Sequence, residues 1–109
     1  MVRDVKITVL KASFNKELSE KFAGKDFGPC PQNYPGKVYI SKGGLKPEGL
    51  CDDAWIPMER FVFAMAHGVK HFFDDWIQIP DVTVNCCNDG LRPVIFKCEA
   101  VDPPEAQKS

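Results

Sequence analysis

No stretch of this sequence approaches the roughly 20 consecutive apolar residues that a membrane-spanning helix requires. Excess charge of either sign is missing too: the formal net charge is −1. A general nucleic-acid binder needs a surplus of Lys and Arg to displace counterions, so that class of partner is not expected. The N-terminus alternates charged and apolar residues and lacks the apolar run and cleavage site of a secretory leader. No Cys-x-x-Cys pair occurs, which removes the zinc-ribbon and thioredoxin patterns. There is no phosphate loop, dinucleotide fingerprint or Ser-His-Asp arrangement; Gly43-Gly44 lacks the spacing for either glycine motif. Internal repeats and low-complexity tracts are absent as well.

What is present is a chain of 109 residues with 44% hydrophobic residues and five cysteines. That is one domain, able to bury a core. A cytoplasmic setting is expected, and there the cysteines are reduced thiols, metal ligands or redox groups rather than a disulfide framework. The odd count agrees with this.

Val5, Ile7 and Val9 alternate with polar residues, which is the period of a half-buried strand over 3–12. Asn15 reads as the N-cap of a short helix through Leu18 and Phe22, with Gly24 as its stop. Prolines on both sides hold Cys30 extended. A second strand covers Lys37–Ser41, and a glycine-rich loop follows. A second helix runs through Phe61, Val62 and Met65 to His67, with Pro57 in its first turn and Gly68 just beyond its end. Its polar face is so narrow that it is either central or packed on a second subunit. The segment 71–76 reads as a short helical turn ended by Pro80. Asp81–Cys87 and Arg92–Val101 are the last two strands. The expected fold class is α+β: a small, mostly antiparallel sheet of four strands in the order β-α-β-α-β-β, with two helices packed on it. Residues 1–101 form one domain, and 102–109 are a flexible tail.

The register of the last hairpin can be read from its apolar faces. A three-residue loop, Asn88-Asp89-Gly90, puts Cys87 opposite Leu91, Val84 opposite Val94 and Val82 opposite Phe96. On that register Cys86 points inward and Cys87 to the opposite face.

Chemistry concentrates on cysteine. Cys30 sits in a rigid loop, Cys51 just ahead of a helix N-terminus, and Cys86-Cys87 at a strand end. These four are the metal or reactive-thiol candidates, and zinc or an iron–sulfur cluster is the cofactor such a site would take. Burial without chemistry is the competing reading, and Cys98, on the apolar face of its strand, is core. Asp89 bonds backbone amides within its turn. Arg92 pairs with Asp52, Asp53 or Asp89, or binds a small anionic ligand with its fork. Arg92, Asp89 and Asp52 are therefore the ligand-binding candidates. Asp52-Asp53 and Asp74-Asp75 are explained by capping and turns, and His67 by its place at a helix C-terminus. A non-catalytic module, oligomerising or binding a partner through its aromatic surface, is the alternative.

Three motifs carry a resemblance: Gly28-Pro29-Cys30-Pro31; Pro47-Glu48-Gly49-Leu50-Cys51 followed by Ala54-Trp55; and Cys86-Cys87-Asn88-Asp89-Gly90-Leu91-Arg92-Pro93-Val94-Ile95-Phe96-Lys97. In this order they resemble an uncharacterised family of short prokaryotic proteins of about this chain's length. The resemblance covers most of residues 3–101. It implies no activity, but it singles out Cys30, Cys51, Cys86 or Cys87, Asp89, Gly90, Arg92 and Pro93 as family positions.

Overall fold

A computed structural model describes residues 2–74 and 76–102. It contains β1 (Asp4–Ala12), α1 (Lys16–Phe22), β2 (Val38–Ser41), α2 (Asp52–Ala66), β3 (Val82–Cys86) and β4 (Val94–Val101). The element order is the one read from the sequence. All three strand pairings are antiparallel, and the strands lie in the order β2-β1-β4-β3. The expected tail falls, apart from Asp102, outside the described residues, as does Asp75 of the expected capping pair.

Register decides what the sheet buries. Tyr39, Ile7, Cys98 and Thr83 form one cross-strand row, and Val9, Phe96 and Asn85 the next. Facing partners in an antiparallel sheet share a face, so these rows make the inner surface. Against it α2 lays Ala54, Trp55, Met58, Val62, Met65 and Ala66, all buried. Gly44 makes a close approach to this helix. It adopts φ +91°, and a Cβ there would lie 3.3 Å from both the Phe63 Cα and the Ala66 Cβ. Glycine supplies both the left-handed backbone and the missing bulk.

Several local expectations need correction. α1 ends at Phe22 with Ala23 as its cap, ahead of Gly24. Asn15 precedes α1 as expected but makes no cap bond; its Nδ2 donates instead to the Gly90 carbonyl, 2.6 Å away. The described residues of 71–76 form no helix: Phe73 and Asp74 take left-handed φ of 57° and 54°, which interrupts a helical run. α2 starts at Asp52, so Pro57 is its sixth residue rather than part of its first turn. Gly68 does follow the helix in the left-handed conformation, φ 104°.

The largest correction concerns the last hairpin. Cys86 faces Ile95, Val84 faces Lys97 and Val82 faces Glu99. The register is displaced by three residues from the expected one, an odd number, so every β3 side chain changes face. Cys86 is therefore exposed, and Cys87, not Cys86, packs against the core. The cause lies in the connection. Pro93 has no N–H to give a ladder. The carbonyls of Leu91 and Pro93 are taken by the Asn15 and Ser13 N–H groups, at 2.8 and 2.9 Å. Residues 91–93 thus follow the end of β1 rather than β3. The first hairpin bond is the Cys87 N–H to the Val94 carbonyl, 3.1 Å.

Candidate functional site

The 88–93 connection is wound around Asp89. One carboxylate oxygen, Oδ1, accepts the N–H groups of Leu91 and Arg92 at 2.9 and 3.1 Å. The other, Oδ2, accepts the Arg92 Nε–H at 2.8 Å. These bonds, with the side-chain hydrogen bond from Arg92 first among them, hold the Asp89 carboxyl below its ordinary pKa, and the same bond raises that of Arg92. The Arg92 guanidinium also lies over the Phe27 ring, 4.6 Å from its centroid. Both the expected turn role of Asp89 and the expected Arg92–Asp89 pair are present.

Pro57 ties this connection to α2. In an uninterrupted helix the N–H of residue 57 would donate to the Asp53 carbonyl. Proline has no N–H. The Asp53 carbonyl instead accepts the Asn88 N–H at 2.9 Å. A gap in the helix ladder thereby becomes an anchor for the residue next to Cys87.

The result is a cavity of about 210 Å³ lined by Cys30, Cys51, Asp53, Cys87, Asp89 and Arg92, together with Pro31, Gln32 and Asn33. Three of the four candidate thiols meet there, each from a different segment. Cys51 is the N-cap residue of α2 and makes no side-chain cap bond. Cys87 Sγ accepts the Val94 N–H at 3.3 Å and lies 4.0 Å from the Arg92 carbonyl. Cys30 Sγ lies 3.8 Å from Asn33 Nδ2, and Asn33 Oδ1 accepts the Tyr39 hydroxyl at 2.7 Å. That second bond fixes a buried amide against Cys30. Cys87 and Cys30 thus each have an N–H donor beside the sulfur.

The other candidates lie elsewhere. Cys86 is on the outer face of the sheet, and desolvation, followed by the neighbouring Cys87, raises its pKa. Asp52 is exposed and paired with Lys46, outside the cavity; Asp53 lines it instead. Cys98 is fully buried, and burial pushes its thiol up to about 12. His67 closes α2, its ring stacked on Phe63, as its position implied. Sequence reasoning passed over Asn33 and Phe27. For Asn33 the available signal was an amide three residues from Cys30 within a proline-bounded loop; Phe27 gave none.

Among the described residues no group of three or more His, Cys, Asp and Glu side chains is arranged to hold a metal ion. The three thiols share a cavity without ligand spacing, so the residues do not fit the zinc or iron–sulfur expectation. Among the same residues no helix is long and apolar enough to cross a membrane. Comparison of the chain with protein-family models, with curated proteins and with solved structures returns no match.

Proposed function

We propose that this protein is a thiol-centred module acting by reversible thiol–disulfide exchange in a reducing, cytoplasmic setting, with Cys30, Cys51 and Cys87 as its working groups. The observation that carries the proposal is their shared cavity. Three partly buried thiols from separate segments lie at the edge of the core, each beside an N–H donor or a helix N-terminus, which is a setting that favours a thiolate. Cys98 is the contrast within the same chain: buried, unreactive, and packed near Met58 Sδ. The family resemblance singles out Cys30, Cys51 and one of Cys86 and Cys87, with Asp89 and Arg92. No step is assigned to a metal.

The test is a comparison of cysteine variants under mild oxidation by a small disulfide. Cys87→Ser is expected to slow formation of an intramolecular bridge by at least about tenfold, because the attacking group is the thiolate itself. Cys86→Ser is expected to leave the rate unchanged. Equal rates in the two variants would remove the assignment.

A second reading, a homo-oligomer or partner-binding module, is favoured by one feature. Phe61, Phe72, Phe73 and Trp76 form a chain of ring contacts 5.3–5.5 Å apart, with Trp76 77% exposed. On that reading the protein sediments as a dimer, and Trp76→Ser returns it to a monomer. A wild-type monomer at all concentrations removes it.

A further inference from the structure

We propose that the cavity takes a short disulfide bearing a carboxylate, held by the terminal amino groups of Arg92 while Cys87 attacks its sulfur; this rests on the thiol-exchange reading above.

Three observations define the ligand. The first is size. The cavity has a volume of about 210 Å³. A molecule of a few carbons fits. The second is the state of the charged groups. Both oxygens of Asp89 are engaged within the turn, and that carboxylate already has Arg92 as its partner. Arg92 commits only Nε to it. Its two terminal nitrogens have no protein partner among the described residues, and stacking on Phe27 holds the guanidinium plane in place. The acceptors of the pair are occupied while the forked end of the donor is open, which is the arrangement that binds a carboxylate. Asp53, the other acid of the wall, is exposed in the first turn of α2, where a carboxylate complements the positive end of the helix. The third is placement. Cys87 and Arg92 line the same cavity, and Cys87 and Cys30 both lie near enough to act on the Arg92 charge.

The chemistry balances without a further reactant. The Cys87 thiolate attacks one sulfur of the small disulfide. The ligand's S–S bond breaks, a mixed disulfide forms on Cys87, and the departing thiolate takes a proton from water. Cys30 or Cys51, as its thiolate, then attacks Cys87 Sγ and releases the second half of the ligand as a thiol. Two protein thiols are oxidised to a disulfide, and one small disulfide is reduced to two thiols.

The test uses the full chain, reduced, with three small disulfides that differ in charge: dithiodipropionate, bis(hydroxyethyl) disulfide and cystamine. The rate of protein-disulfide formation is read by mass spectrometry. Dithiodipropionate is expected to react about tenfold faster than cystamine, with the neutral compound between them, as one charge-assisted contact implies. Arg92→Gln should collapse the order, and Arg92→Lys should retain part of it. If Arg92→Gln does not fold, the wild-type series decides by its salt dependence: the anion preference must shrink as ionic strength rises. Equal rates for all three disulfides, or a preference for cystamine, overturn the carboxylate assignment and leave the thiol site standing. Failure of all three to form a bridge within the cavity overturns the thiol site as well.

Discussion

Pro57→Ala is expected to raise the global stability of this protein while loosening the loop that carries its candidate site. Proline in a helix interior is about 3 kcal/mol less favourable than alanine. At the sixth position of α2 a new N–H would reach the Asp53 carbonyl and restore the missing rung. That carbonyl now holds the Asn88 N–H at 2.9 Å. Competition for it, and straightening of the helix around it, would weaken a bond with a net value of about 0.5–1.5 kcal/mol. The expected balance is a net gain of about 1.5–2.5 kcal/mol by chemical denaturation. Amide exchange at Asn88 should quicken at the same time. The two effects have opposite signs, which separates them from ordinary damage to a helix. Loss of stability with unchanged exchange at Asn88 would show that the proline serves the helix and not the loop.

Asp89→Ala should be the most destabilising change in the 88–93 connection. It removes the acceptor of two backbone N–H groups and of the Arg92 side chain at once. Hydrogen bonds to a charged group are worth about 1.5–3 kcal/mol, and the three act on a single turn, so a loss of about 2–3 kcal/mol is expected. Asp89→Asn keeps an acceptor for the amides but no charge for Arg92, and should lose roughly half as much. The pH dependence follows from the lowered carboxyl pKa. The unfolded chain regains the ordinary value, 3.8, so the contribution of Asp89 is fully present above that pH and disappears as pH falls through the lower folded value. Denaturation curves of wild type and Asp89→Asn should therefore differ at neutral pH and converge in acid. A neutral-pH difference below about 0.5 kcal/mol for Asp89→Ala, the range of an ordinary surface substitution, would contradict this account of the turn.

The architecture was legible where side-chain period and burial agree. Val5, Ile7 and Val9 announce β1, and Val94, Phe96 and Cys98 announce β4. Both triplets are buried in the expected alternation. β3 misleads because it inverts the pattern. Its inward positions are Thr83 and Asn85, while Val82 and Val84 face outward on an edge strand. Thr83 tolerates full burial because its hydroxyl donates to Asn85 Oδ1 at 2.9 Å and lies 3.6 Å from Met65 Sδ. Such partners come from the fold and cannot be counted along the chain. The same holds for the hairpin: its register depends on Ser13 and Asn15 capturing the carbonyls of Pro93 and Leu91.

Recognition of the site divided in the same way. The three thiol-bearing segments were legible because each ends or begins an element. Which member of the Cys86-Cys87 pair joins Cys30 and Cys51 was not legible, because that depends on register. The gathering of Cys30 with Asn33 depends in turn on Tyr39 reaching back from β2 to fix the amide.

The most direct test of the central claim is peptide mapping of the native, reduced protein after stoichiometric oxidation at low protein concentration. The account predicts an intramolecular disulfide joining two of Cys30, Cys51 and Cys87, with Cys98 still a thiol. Five unmodified thiols, or only an intermolecular bridge through the exposed Cys86, would contradict it.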